Sequence, residues 1–189
     1  PPDHPDHYVM KAKHIVHETP GAVLADQFYN EANPEAHYRT TGPEIWEQTE
    51  GKVTHFICGA GTGGTVSGAG KYLKEQNPRI RIIAGDPVGS LYTNYSKTRT
   101  MGDGHPYKVE GIGGDKIPTT LWFDAVDEFR QLSDRDAFAM TRRLAREGHV
   151  REAADVLLDL LQAGGDMSRN AIYCYSSYTD EVVEKAVRE

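Results

Sequence analysis

Val53-Thr54-His55-Phe56-Ile57-Cys58-Gly59-Ala60-Gly61-Thr62-Gly63-Gly64-Thr65 runs from an apolar, partly β-branched segment into a glycine-rich turn. Val53 to Cys58 reads as a buried strand, Gly59 to Gly64 as the turn, and Thr65 to Gln76 as a helix that Asn77-Pro78 stops. A strand–turn–helix of this kind lets consecutive backbone N–H groups converge on an anion, and the helix N-terminus adds a favourable dipole. Glycine is needed where a Cβ would block close approach or where φ is positive. The expected ligand is a phosphate; the alternative is a tight turn that holds nothing.

Upstream, Tyr8 to Glu18 predicts a short helix and Gly21 to Phe28 a strand ending near Gln27. Pro34 to Glu50 predicts one helix, with Asn33 as N-cap and Pro34 at the first helical position. Downstream, Ile80 to Ala84 predicts a strand ending at Asp86-Pro87, and Gly89 to Gly104 a polar loop. Gly111-Ile112-Gly113-Gly114 is a second glycine cluster. Glu128 to Leu132 predicts a strand and Asp134 to Glu147 a helix capped by Ser133. Arg151 to Ala163 reads as an amphipathic helix ended by Gly164-Gly165, Ala171 to Tyr175 as a strand, and Thr179 to Arg188 as a last helix. Strands alternating with helices predict an α/β fold, a parallel twisted sheet with helices on both faces. The expected organisation is a single α/β domain over residues 1–189, with a proline-rich, linker-like stretch from Pro1 to His7. No Met opens the chain, so a piece of something longer is expected.

Composition narrows the class. The 189 residues carry 21 Lys+Arg against 28 Asp+Glu, a net charge of −7. At roughly 150 residues per domain this is one domain or slightly more. The acidic balance and the lack of a clustered basic stripe argue against nucleic acid as a partner. No apolar run approaches the roughly 18 residues of a membrane span. Two cysteines, Cys58 and Cys174, cannot build a disulfide framework, so a cytoplasmic setting is expected.

Taken literally, Gly59-x-Gly61-x-x-Gly64 satisfies the dinucleotide fingerprint. Asp86 follows Gly64 by 22 residues, at a strand end where a nicotinamide-dinucleotide site places its ribose carboxylate. The wider sequence points elsewhere. Asn33-Pro34-Glu35-Ala36-His37-Tyr38, Thr40-Thr41-Gly42-Pro43-Glu44-Ile45-Trp46, Gly61-Thr62-Gly63-Gly64-Thr65, Asp86-Pro87 and Glu110-Gly111-Ile112-Gly113 together resemble the cysteine synthase/cystathionine β-synthase family. These are pyridoxal-phosphate enzymes of fold type II. The resemblance runs from about Pro1 to about Gly148, in the family's order and spacing. Asp86-Pro87-Val88-Gly89-Ser90 and Glu110-Gly111-Ile112-Gly113-x-Asp115-x-Ile117-Pro118 look more like the cystathionine β-synthase branch.

The resemblance implies that Gly61, Thr62, Gly63, Gly64 and Thr65 cradle the phosphate of pyridoxal 5'-phosphate. It implies that Gly111, Ile112 and Gly113 lie along the cofactor ring, and that Gln27 helps hold a substrate carboxylate. His37, Thr41 and Trp46 fall between the two sites and read as structural. The implied chemistry is β-replacement, joining an amino acid to a thiol; in cystathionine β-synthases the pair is serine and homocysteine. A homodimer is implied as well. The chain also departs from the family. Its nine lysines match no family lysine motif, so no Schiff-base lysine is assigned. That lysine and an asparagine-bearing substrate loop belong before residue 1 in the family's order. After Gly148 the family's strand and glycine-glycine-serine turn give way to Arg151 to Ala163, and Ser176 and Ser177 replace the usual residues further on. Lys116 stands where a phenylalanine is common. Turnover by this chain alone is expected to be near nil. Two further readings stay open: a dinucleotide-binding oxidoreductase module, and a non-catalytic relative that keeps the fold to bind a partner.

Smaller constellations carry less. His4, His7, His14 and His17 fall close together, but no cysteine or carboxylate pattern supports a metal, and a solvated segment is expected. Cys58 and Cys174 sit in apolar strands as core residues. Tyr173, Tyr175 and Tyr178 read as packing residues, and Ser67 and His55 form no nucleophile–base pair.

Overall fold

In the computed structural model, which describes residues 7–148, the chain runs α1 (Tyr8–Glu18), α2 (Ala32–Arg39), α3 (Thr41–Gln48), β1 (His55–Gly59), α4 (Gly64–Gln76), β2 (Arg81–Pro87), α5 (Tyr92–Thr98), a 3-10 turn (Phe123–Ala125), β3 (Glu128–Leu132) and α6 (Asp134–Arg146). The sheet has the order β1-β2-β3 and both pairings are parallel. Ile57 lies opposite Ile83, and Ile83 opposite Glu128. β2 is buried from Ile82 to Pro87, as a central strand should be. α4 makes the crossover from β1 to β2 and packs on both, and α2 and α3 cover α4. The core gathers Val66 and Leu73 of α4, Ile82 and Ala84 of β2, Tyr92, Leu121 and Phe123. Phe123 stacks on Phe129 of β3 at 5.2 Å. The fold is therefore α/β with a parallel sheet flanked by helices, and the C-terminal ends of all three strands lie at one edge. In open α/β sheets that edge is where ligands sit.

Three expected elements come out differently. Pro34 to Glu50 is two helices, parted at Thr40 (φ −120°, ψ −69°). A continuous helix would need the N–H of residue 43 for the Arg39 carbonyl, and Pro43 has none. In α3 Pro43 instead occupies the first turn, where no N–H is required. Asn33 lies inside α2 rather than capping it, and its side chain reaches out of the helix. Gly21 to Phe28 forms no strand: Asp26 takes a left-handed conformation (φ 49°), and its carbonyl accepts the N–H groups of Tyr29 and Asn30. Val23 there is 88% exposed, so its apolar character builds no core.

Gly89 to Gly104 is not all loop. It holds α5, whose first turn is satisfied by a distant residue: Asp86 Oδ2 accepts the Thr93 N–H (2.9 Å) and the Thr93 hydroxyl (2.6 Å). Tyr92 buries its ring in the core and Tyr95 packs 5.0 Å from Phe123, so tertiary contacts hold a segment whose polar sequence suggests a loop.

The other helix ends agree with their sequence. Ser133 caps α6 by accepting the Asp136 N–H, and His7 caps α1 through its ring nitrogen. His14 pairs with Glu18 at 3.1 Å. Pro1 to Asp6, the helix expected at Arg151 to Ala163, the strand expected at Ala171 to Tyr175 with its tyrosines and Cys174, Ser176, Ser177 and the last helix all lie outside the described residues. Among the described residues no helix is long and apolar enough to cross a membrane.

Cys58 lies in β1, and burial pushes its thiol up to about 12. At pH 8 it is almost wholly protonated, and the thiolate is the reacting species. Alkylation of the Cys58 peptide by iodoacetamide, followed by mass analysis, is expected to be on the order of a thousandfold slower than that of a free thiol with pKa near 8.5.

Candidate functional site

The turn after β1 is held by its carbonyl groups, three from distant segments and the fourth by the first turn of α4. Ala60 C=O accepts the Gly113 N–H (2.7 Å) and Gly63 C=O accepts the Ser67 N–H (2.9 Å). Gly61 C=O accepts the Tyr92 hydroxyl (2.8 Å), and Thr62 C=O accepts the Thr120 hydroxyl (2.7 Å). In a trans peptide the C=O and the following N–H point to opposite sides. Fixing four successive carbonyls therefore turns the next N–H groups away from those partners. The N–H groups of Gly61, Thr62 and Gly63 have no acceptor among the described residues. Those of Thr65 and Val66 precede the first intrahelical bond of α4 and are left over by the geometry of any helix start. This is a row of donors at a helix N-terminus, the arrangement that binds an anion.

The glycines here are sites of close approach. Gly63 sits at φ +85°, and a Cβ on it would lie 2.6 Å from Leu121 Cα. A Cβ on Gly61 would run into the backbone carbonyl of Gly111, and one on Gly59 into the Ile112 side chain. The two glycine clusters, 59–64 and 111–114, thus lie against each other, joined by the Ala60–Gly113 hydrogen bond. Ser90 Oγ accepts the Gly114 N–H (3.0 Å), which ties the second cluster to the segment before α5. Burial holds the Tyr92 phenol well above its ordinary value and the Tyr107 phenol at about 12, so both remain protonated donors near neutral pH.

The sequence-predicted residues come together to different degrees. Gly61 to Thr65 and Gly111 to Gly113 are contiguous in space, although about fifty residues separate them in the chain. Gln27 is exposed in a turn rather than at a strand end. Its backbone carbonyl accepts the Asn33 amide (2.7 Å), and the same amide nitrogen reaches Thr62 Oγ1 (3.1 Å), so one asparagine bridges Gln27 to the cradle. Asp86 is fully buried, with Oδ2 committed to Thr93 and Oδ1 lacking a hydrogen-bond partner among the described residues. A carboxylate so enclosed does not present itself to a ribose, which removes the basis for the dinucleotide reading. Lys71 lies over the rings of Tyr38 and Trp122, Lys74 pairs with Asp127 at 2.7 Å, and Lys52 pairs with Glu50.

Sequence reasoning missed Asn33, His37, Tyr92 and Thr120 as site residues. His37 Nε2 lies 3.1 Å from Thr65 Oγ1, so this histidine touches the cradle rather than only supporting the helix. The sole signal for it in sequence is its place in the motif Asn33 to Tyr38; nothing local marks Tyr92 or Thr120.

These features define an α/β protein whose parallel sheet carries, at its C-terminal edge, a glycine-rich turn with N–H groups that have no acceptor among the described residues. The family described as "Pyridoxal-phosphate dependent enzyme" matches residues 2–162. The chain belongs to that family, the fold type II enzymes that use pyridoxal phosphate. It is 41% identical over 143 residues to a cystathionine beta-synthase of Apis mellifera, covering 76% of this chain and 28% of that protein. It is 42% identical over 153 residues to cysteine synthase 3 of Caenorhabditis elegans, covering 79% of this chain and 44% of that protein. A cystathionine beta-synthase of Saccharomyces cerevisiae is 43% identical over 150 residues, covering 75% of this chain and 29% of that protein. The chain thus spans less than half the length of these relatives.

Proposed function

We propose that this chain forms the phosphate-binding part of a pyridoxal-phosphate enzyme of sulfur amino-acid metabolism that carries out β-replacement, joining serine and homocysteine as its resemblance to the cystathionine β-synthases implies. The observation that carries the cofactor assignment is the set of three carbonyls, Ala60 to Thr62, held by Gly113, Tyr92 and Thr120, which leaves a row of N–H groups at the start of α4 for the phosphate. The fit is steric as well: Cβ atoms at Gly61, Gly63 and Gly64 would collide with Gly111, Leu121 and Asn33, so only glycine permits this cradle.

In this reading the N–H groups of Gly61, Thr62 and Gly63 and the hydroxyl of Thr65 hold the phosphate, whereas the Gly64 N–H, which the resemblance placed in the cradle, donates to Thr62 Oγ1 (3.3 Å). The backbone of Gly111, Ile112 and Gly113 borders the ring. Gln27, whose side chain is exposed and has no hydrogen-bond partner among the described residues, is the residue for the substrate carboxylate. When bound, pyridoxal phosphate supplies an electron-withdrawing ring that spreads negative charge from the substrate α-carbon. Together these residues hold the phosphate end and border the ring. None of the nine lysines matches a family motif, so no Schiff-base lysine is assigned within this chain. The sequence features Asp86 to Ser90 and Glu110 to Pro118 favour the cystathionine β-synthase branch. The alternative branch, cysteine synthase, is supported by the relative from Caenorhabditis elegans.

The test is an absorbance titration of the full chain with pyridoxal phosphate, then borohydride reduction and mass analysis. Saturable binding without a covalent adduct is expected. A single adduct would place the lysine within this chain, and assays with serine and homocysteine would follow. No saturable binding would sink the proposal. Tyr92→Phe, which removes the donor to Gly61 C=O, is expected to weaken pyridoxal phosphate binding about fivefold in the same titration, the effect of one hydrogen bond near 1 kcal/mol.

A further inference from the structure

We infer that His37 is a positioning residue that makes Thr65 a hydrogen-bond donor to the bound phosphate. This rests on the cradle assignment above and goes beyond it. His37 Nδ1 lies 2.9 Å from Thr41 Oγ1, and Nε2 lies 3.1 Å from Thr65 Oγ1, so the ring spans two hydroxyls. A neutral imidazole has one donor and one acceptor nitrogen, and the choice of tautomer fixes the direction of the whole chain. Burial lowers the His37 pKa, which favours the neutral ring.

If Nε2 accepted from Thr65, the Thr65 hydroxyl proton would be spent on the ring and its oxygen would turn lone pairs toward an anion. If Nε2 carries the proton, it donates to Thr65 Oγ1, the Thr65 proton is released toward the phosphate, and Nδ1 accepts from the Thr41 hydroxyl. Only the second direction lets every group in the chain donate toward the negative charge. Protonation of His37 would keep the Nε2–H bond to Thr65 but would turn Nδ1 into a donor, so that Thr41 Oγ1 accepts instead of donating.

The seat of α2 makes this geometry rigid. Gly64 and Gly68, one turn apart on α4, present bare backbone to Asn33 and Pro34, and a Cβ on Gly68 would also lie 2.9 Å from His37 Cβ. The ring is therefore held over the first turn of α4 by backbone contact, not by a flexible arm.

The full chain, labelled with 15N-histidine, reports the tautomer directly, with the His37 signal identified by its loss in His37→Gln. The Nε2–H tautomer is expected in the presence of pyridoxal phosphate; the Nδ1–H tautomer overturns the inference. Titrations with pyridoxal phosphate and with pyridoxal give the second readout. His37→Phe is expected to weaken pyridoxal phosphate binding roughly tenfold or more, as for one hydrogen bond to a charged group, and to leave pyridoxal binding unchanged. His37→Gln, whose amide can donate from near the Nε2 position, is expected to restore most of the loss. In a Thr65→Val background His37→Phe is expected to have no further effect. Unchanged pyridoxal phosphate affinity in His37→Phe, or an equal penalty in the Thr65→Val background, overturns the inference while leaving the cradle intact. A wild-type chain that binds pyridoxal phosphate no better than pyridoxal overturns the cradle assignment itself, and this inference with it.

Discussion

Gly61→Ala is expected to lose pyridoxal phosphate binding by at least about a hundredfold while the chain stays folded. The added methyl group would run into the backbone carbonyl of Gly111, which cannot rotate away as a side chain could. The two glycine clusters would have to separate, breaking the 2.7 Å bond between Gly113 N–H and Ala60 C=O. With Ala60 C=O released, the Gly61 N–H is no longer aimed, and the shift carries Thr62 N–H with it. Two hydrogen bonds to a phosphate dianion at roughly 1.5–3 kcal/mol each correspond to at least a hundredfold in affinity. Forcing a methyl group into the contact costs about 1–3 kcal/mol of stability, which a domain of ordinary stability survives. Titration with pyridoxal phosphate beside a circular-dichroism melt separates the two effects. Affinity within about threefold of wild type would show that the clusters need not touch for the phosphate to bind.

Gly68→Ala is expected to destabilise the chain, against the usual sign for a helix. An exposed helical Gly→Ala change stabilises by roughly 0.5–1 kcal/mol, because glycine loses more backbone freedom on folding. Here the methyl group would meet the Pro34 carbonyl and lie 2.8 Å from Tyr38 N, both backbone atoms of α2. α2 must lift off α4, taking Asn33 and His37 away from the cradle. A cost of about 3 kcal/mol, at the upper end for overpacking, corresponds to a fall in Tm of roughly 6–12 °C for a chain of this length. A thermal melt decides it: a raised Tm would mean that α2 is not seated on this face.

The strand–turn–helix at Val53 to Gln76 was legible because each part carries its own local cause: β-branched residues, glycines at a turn, and a stop at Asn77-Pro78; the expected burial of Val53 to Cys58 was not, since β1 runs only from His55 to Gly59, ends the sheet order and leaves Ile57 66% exposed. Glu128 to Leu132 and the Ser133-capped helix were legible for the same reason, since a cap bonds within its own first turn. The break between α2 and α3 was also written locally, in Pro43, but was outweighed by the longer helical pattern around it. α5 was not legible, because its N-terminal donors are met by Asp86 from another strand and its apolar face is only Leu91, Tyr92 and Tyr95 among polar neighbours. The strand expected at Gly21 to Phe28 failed because a short apolar run forms no strand without a neighbour to pair with.

The site divides in the same way. By itself, the sequence determined that a glycine-rich turn precedes a helix, that an anion suits it, and, through motifs in order, which family the chain belongs to. Those properties depend on residues adjacent in the chain. Tertiary structure alone decided how the cradle is aimed: Tyr92, Thr120 and Gly113 each fix one carbonyl of the turn from 31 to 58 residues away. It also decided that Asp86 serves α5 rather than a ligand, and that His37 reaches Thr65. A hydrogen bond depends on where two groups meet in space, and for these pairs that meeting place exists only once the helices have packed on the sheet.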